Sequence, residues 1–405
     1  IMNTQGAASA SQSQLTLDAK WANQEQWQLK QHSQGWFWQW QNKQKIDAKW
    51  QNIQRNIVGL GQIDSKNGQL DYQGIPQRYT LNLAAHLHNT KIPEGHYLVQ
   101  GQGSTHELAF KQAHYQGEIG NITAQGQVSW LKGLAWQAQL QLDNVKSRTW
   151  LPTWPAIISG QTHMTGQWQA QNKQLQLGNT QLQGELKALP LTVTSSQFEI
   201  DLTHLSTQQI PPFIAQQTQL TWGDNQLALE GGLYNQRWDL TVDNQLNDLQ
   251  QLDTRLQGKI NGAVLLNGAR LRPAVTLNIN AEKLAFEQKM AVEALNITGT
   301  LPELGNVTGF LQVSAHNLTA INRVIPDLAI VVEGTRDNHQ LTWQMLAEPV
   351  VAEGVLRGAL DEQSNWQGVT ESGVVKIGDF IWELQQPFAT TWLMSDKQMS
   401  LAEHC

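Results

Sequence analysis

Residues 136–143 read WQAQLQLD, a strict alternation of apolar and polar side chains. A period of two is the repeat of a β-strand, so Trp136, Ala138, Leu140 and Leu142 share one face and Gln137, Gln139 and Gln141 share the other. The pattern returns in RWDLTVDN (237–244) through Trp238, Leu240 and Val242, and in TLNINA (276–281) through Leu277, Ile279 and Ala281. GWFWQWQ (35–41) predicts a further strand with Trp36, Trp38 and Trp40 on one face. Gly, Pro or Asn-Gly interrupts roughly every 8–12 residues, the spacing of an all-β protein. KNGQ (66–69) and LNGA (266–269) carry the dipeptide that two-residue hairpin turns prefer, and they predict turns there. Helical patterning is confined to 248–257 and 318–328, segments too short to cover a sheet.

An amphipathic sheet must shelter its apolar face. At ~11 residues per strand and turn the chain holds roughly 35 strands, well beyond the ~10 that an open twisted sheet tolerates. No Pro/Ser-rich or charge-rich linker divides it, so residues 1–405 read as one continuous repetitive segment. Continuity favours a solenoid or a gutter, in which each unit touches only its neighbours. Trp occurs 17 times, and Trp136, Trp154, Trp168, Trp222 and Trp238 are too bulky and unevenly spaced for a narrow β-helix core. The expected fold is therefore all-β: a long, curved, mostly antiparallel sheet folded across its width, with a hydrophobic groove and few short helices. The groove candidates are Trp136, Ala138, Leu140, Leu142, Trp238, Leu240, Val242, Leu277 and Ile279.

Composition narrows the function classes. Charged residues are 15%, against roughly 25% in ordinary soluble proteins, and Gln and Asn replace them. Uncharged polar side chains do not repel their neighbours across a sheet. A hydrophobic content of 40% argues against disorder. The net charge of -7 carries no basic patch, so nucleic acid is not an expected partner. The one cysteine, Cys405, allows no internal disulfide. No apolar run reaches the ~18 residues that span a bilayer. The abrupt start IMNTQG and end LAEHC read as the ends of a piece excised from a longer chain.

The sequence assembles no catalytic constellation, and no enzyme activity, cofactor or metal is expected. HLH (86–88) places His86 and His88 on one strand face, but two ligands without a third make a poor metal site. They read as partly exposed surface histidines. GQGSTHE (101–107) lacks the Lys and the following helix of a phosphate loop and reads as a turn. The carboxylates of DEQS (361–364) and AEPVVAEG (347–354) read as solvated positions. NIT (121–123, 296–298) and NLT (317–319) match the glycosylation acceptor pattern, which arises by chance in an Asn-rich chain. The stripe Trp36/Trp38/Trp40 reads as sheet packing.

Two stretches carry a family likeness. One is IPEGHYLVQGQGSTHELAF and its continuation, with Gly117, Gly126, Trp130, Trp136, Trp154-Pro155, Gly160 and Gly166 in series. The other is LDTRLQGKINGAVLLNGARLRPAVTLNINAEKLAF (252–286). Together with the ending WELQQPFATTWLMSDKQMSLAEHC, this order resembles the mid-chain pattern of TamB proteins, AsmA-like periplasmic members of Gram-negative envelopes. Residues 92–405 carry the resemblance, and 1–91 share its texture only. It implies a β-taco, a periplasmic region of an inner-membrane-anchored protein, and a central piece of the whole. It also implies a partner, the Omp85-type outer-membrane barrel TamA, engaged through a part absent from this chain.

The residues and the resemblance together lead to a periplasm-spanning conduit with phospholipid acyl chains in its groove. Acyl chains need only apolar surface, worth about 25 cal/mol per Å². The first alternative is a chaperone-like scaffold for outer-membrane protein assembly or secretion that pairs client strands along its sheet edge. The second is a secreted lectin or adhesin, disfavoured because the tryptophans share a face with leucine.

Overall fold

The computed structural model describes residues 2–9, 11–21, 24–36, 38–39, 41–57, 61–89, 92–149, 151–203, 210–287, 289–303, 305–320, 323–361, 365–394 and 398–402. The chain divides into two units, Ile1–Pro211 and Pro212–Cys405.

The first unit holds β1 Met2–Ala8, β2 Gln12–Lys20, β3 Gln26–Gln34, β4 Gln44–Ile57, β5 Gly61–Ile75, β6 Arg78–His88 and β7 Gly95–Gly103. It continues with β8 Glu107–Gly117, β9 Gly120–Ser129, β10 Leu134–Lys146, β11 Ala156–Gln169, β12 Asn172–Leu186 and β13 Leu189–Asp201. Each strand pairs antiparallel with the next, from β1 with β2 to β12 with β13.

The second unit holds β14 Phe213–Trp222, β15 Asn225–Tyr234, β16 Arg237–Leu246, β17 Leu256–Ala269, β18 Ala274–Phe286, β19 Met290–Leu301 and β20 Gly309–Ala320. After these come β21 Arg323–Thr335, β22 Asn338–Ala347, β23 Val350–Leu360, β24 Trp366–Ile377, β25 Phe380–Glu383, β26 Phe388–Leu393 and β27 Gln398–Leu401. Consecutive strands again pair antiparallel up to β24, which pairs with β25 along Val374–Ile377 and with β26 along Trp366–Thr370. The all-β, antiparallel architecture expected from the alternation is what the chain adopts.

Five expectations are corrected. The strands run up to 15 residues with tight turns, so 27 of them, among the described residues, take the place of 35. The described residues of 318–328 are strand, 318–320 ending β20 and 323–328 opening β21. Pro326, which has no N–H to give the ladder, stands opposite Asn317, the one position within the β20–β21 ladder where the pairing is interrupted, and Asn317 takes φ 50° while the register on either side is unchanged. Of 248–257, only Leu249–Gln251 is helical, a single 3₁₀ turn capped by the Asp248 side chain. Asn67-Gly68 lies inside β5 and Asn267-Gly268 ends β17, so neither makes a hairpin turn. The described residues of 35–41 lie between β3 and β4 and form no strand, and Trp36 and Trp38 stack there at 4.7 Å; Phe37 and Trp40 lie outside the described residues. Cys405 does too.

The core of each unit is thin. Nearly half of its buried apolar residues are alanines, such as Ala48, Ala85 and Ala138 in the first unit and Ala215, Ala281 and Ala315 in the second. Among the described residues, the largest side chains below 2% exposure are Leu233, Gln44 and Thr390. Two close-packed globules sharing this mass would expose about 19,000 Å², whereas the chain exposes 25585 Å². The sheets therefore leave much of their apolar face accessible.

Candidate functional site

Antiparallel register converts the period of two into rows that cross the strands. In the first unit one row runs Leu29, Ala48, Leu70, Leu83, Val99, Ala113, Ala124 and Leu140, one residue from each of β3 to β10. In the second unit a row runs Leu229, Val242, Val264, Leu277, Gly299, Leu311, Val332 and Leu341. Beside it lies Ile279, Ile297, Val313, Ile330 and Trp343. The opposite faces are amides. Gln141, Gln161 and Gln181 stand in line in the first unit. Gln245, Asn261, Asn280 and Asn296 do so in the second.

The nine sequence candidates all lie on these apolar faces, four in the first unit and five in the second. On β10, Trp136, Leu140 and Leu142 are half-buried and Ala138 buried, while Gln137, Gln139 and Gln141 are exposed. On β16, Leu240 is buried, Trp238 and Val242 half-buried, and Asp239 and Asp243 exposed. On β18, Leu277 and Ile279 are half-buried between exposed Thr276, Asn278 and Asn280. Val242 and Leu277 flank Val264 and are brought into one row.

The tryptophans have a seat that the sequence concealed. Trp136 faces Gly166 across the β10–β11 pair, and a methyl group added to Gly166 would meet the indole at 2.1 Å. Trp50 lies over Gly68 in the same way, at 2.2 Å. Such rings lie flat against a neighbouring strand, which is how an aromatic compensates a strand glycine. The Trp50 indole donates to Ser65 Oγ at 2.8 Å, and that of Trp238 to the Arg270 carbonyl at 3.1 Å. The Trp136 indole N–H is buried and has no hydrogen-bond partner among the described residues.

Polar side chains are buried at several places among the described residues, and two clusters are hydrogen-bonded side chain to side chain. Thr162 and Thr180, both buried, share a 2.8 Å hydrogen bond next to Leu140. Near β2–β4, Gln31 donates to Gln44 at 2.9 Å, and Gln44 donates to Ser33 at 2.8 Å. These groups are satisfied, whereas the buried Oδ1 of Asn244, on the β16 face of Leu240 and Val242, has no hydrogen-bond partner among the described residues.

His86 and His88, on one face of β6, both approach Glu94, just before β7; its oxygens lie 3.6 Å from His86 Nε2 and 3.5 Å from His88 Nδ1. Lys66 Nζ sits 2.7 Å from the same carboxylate and holds its pKa below the usual range. Burial, followed by the Lys66 charge, lowers the His86 pKa. The His86 side chain is only 13% exposed and that of His88 54%, so only the second is the surface histidine expected. Among the described residues, no group of three His, Cys, Asp or Glu could hold a metal ion. No helix among them is long and apolar enough to cross a membrane.

Fold and site define a repetitive antiparallel β-sheet protein whose side-chain rows give each unit one apolar and one amide face. The chain belongs to the TamB family: the family model described as "TamB, N-terminal domain" matches residues 3–405. The match extends over residues 3–91, where the sequence pattern offered texture only. A curated relative, translocation and assembly module subunit TamB of Haemophilus influenzae, is 24% identical over 318 residues. Those residues are 78% of this chain and 24% of that protein, so the chain spans about a quarter of the relative's length. No solved structure matches the chain.

Proposed function

We propose that the apolar faces carry phospholipid acyl chains along a groove, as part of a conduit across the periplasm. The observation that carries this reading is incomplete burial. Leu140, Val242, Leu277 and Ile279 point to the apolar side yet remain half-buried, where an ordinary core would enclose them. Each methylene group that leaves water on such a surface gains about 0.8 kcal/mol. Neighbouring strands lie about 4.8 Å apart, so a chain moving from row to row meets nearly the same surface at each step. Such a flat profile suits transport. The family, and the relative's designation as a module subunit, support a setting in the Gram-negative envelope. In that setting the protein would be anchored in the inner membrane and would work with the outer-membrane barrel TamA.

The test is a charge in the path. In the full-length protein, Leu140→Arg and Ile279→Arg should keep expression and β content, because the ladders do not depend on those side chains. They should abolish envelope lipid homeostasis, since an unpaired charge has to be desolvated by passing chains. Gln139→Arg, on the exposed face, should be silent. Full complementation by the arginine variants, together with loss of function when proline is placed along a sheet edge, would instead favour the assembly scaffold.

A further inference from the structure

In the second unit residues 302–303 and 305–308, between β19 and β20, border a cavity of about 340 Å³ at the end of the apolar face. This is within the size range of small-ligand pockets. Two anchors hold these residues there. Glu303 accepts from the Ala269 amide at 2.9 Å and pairs with Arg237 at 3.5 Å. The Gly305 carbonyl accepts from the Arg336 amide at 2.9 Å. The first anchor requires glycine at 268, because a methyl group there would meet the Glu303 carboxylate at 2.2 Å, and φ at 268 is +102°.

The cavity is lined by Leu301, Val307, Phe310, Val332 and Leu360, and by Arg272 at its rim. Leu301, Val307 and Phe310 remain 41%, 46% and 36% exposed. Val332 also belongs to the long apolar row through Val242 and Leu277, so the cavity opens onto that row. Of the charged groups around it, Glu303 is paired. Arg336 donates to the Leu360 carbonyl at 3.2 Å and to the Asp361 carbonyl. His339 is fixed between the Thr335 carbonyl at 3.1 Å and the Trp366 indole N–H at 2.8 Å. Arg272 is exposed, and its guanidinium has no hydrogen-bond or ion-pair partner among the described residues.

We infer that this cavity is a side port that seats one acyl chain of a phospholipid while Arg272 holds the phosphate. An apolar pocket with one free cation at its mouth is complementary to an anionic headgroup on an apolar tail. The inference rests on reading the apolar face as a lipid path, and the experiment separates the two. A photo-crosslinking residue is placed at Val307, and separately at Ile279, in the full-length protein. Vesicles of phosphatidylglycerol are the probe, and adducts are counted by mass spectrometry. Both positions should label. Arg272→Glu should cut labelling at Val307 by about five-fold, the scale of a surface charge pair reversed, and leave Ile279 unchanged. Arg272→Lys should retain it. Labelling at Ile279 with none at Val307, labelling at Val307 that ignores Arg272→Glu, or a protein adduct at Val307 would each overturn the side port and leave the path intact. Absence of lipid at both positions would remove the path and the port together.

Discussion

Gly166→Ala should destabilise the first unit through one contact. The new methyl carbon would lie 2.1 Å from Cζ2 and 2.4 Å from Cε2 of Trp136. Carbon atoms at rest sit about 3.5–4.0 Å apart, so the indole must retreat by more than 1 Å from the strand that seats it. Overpacking of this kind costs about 1–3 kcal/mol. Gly166 is an ordinary strand position, without the positive φ of its neighbour Gly160. With the ring removed, alanine there should be neutral or stabilising by about 0.5 kcal/mol, the usual gain over glycine in a strand. A double-mutant cycle with Trp136→Ala, read from urea unfolding by far-UV circular dichroism, should therefore give a coupling of about 2 kcal/mol. Costs that add to within about 0.5 kcal/mol would show that the glycine does not make room for the ring.

Two further predictions concern pH. Asp47 and Asp71 face each other across β4 and β5. The Asp71 pKa is raised above 3.8, first by the hydrogen bond to Asp47 and then by burial and the Asp47 charge. The folded state therefore holds the proton more tightly than the unfolded chain, and this contribution to stability is lost as pH rises through the raised pKa. Asp71→Asn should stabilise the protein at neutral pH by roughly 0.2–1 kcal/mol, and the gain should vanish in acid; a gain that persists unchanged in acid would refute the pairing. His316 Nδ1 lies 2.8 Å from Asp327 across β20 and β21, and that hydrogen bond, more than the Asp327 charge, raises its pKa above 6.5. Its contribution should be complete below 6.5 and fade as pH rises through the raised value, so His316→Gln should lower the urea midpoint in acid and leave it unchanged in alkali.

What was legible in the sequence followed from a single period. Alternation in WQAQLQLD, RWDLTVDN and TLNINA placed Trp136, Leu140, Val242 and Ile279 on the apolar side without knowledge of any neighbour. What required register stayed hidden. Gly68 in KNGQ resembles a turn residue, yet it is a strand glycine kept bare for Trp50, its direct partner across the β4–β5 pair. Thr162 and Thr180 look like unremarkable strand residues until the β11–β12 pairing brings their hydroxyls together. The sequence around Pro326 resembles a broken helix because proline rarely sits inside a sheet, and only the pairing, which leaves Pro326 out of the ladder opposite Asn317, shows its place. Glu94 lies outside the HLH motif and reaches it through the β6–β7 turn, so the cluster with Lys66 could not be read from spacing.

The lipid path is tested most directly by facing. Photo-crosslinking residues at 140 and 242 would occupy half-buried positions on the apolar rows, and residues at 139 and 243 the exposed positions beside them. With the full-length protein in its own envelope, phospholipid adducts are expected at 140 and 242 and not at 139 or 243. Equal labelling of both faces, or no lipid at 140 and 242, would contradict the account.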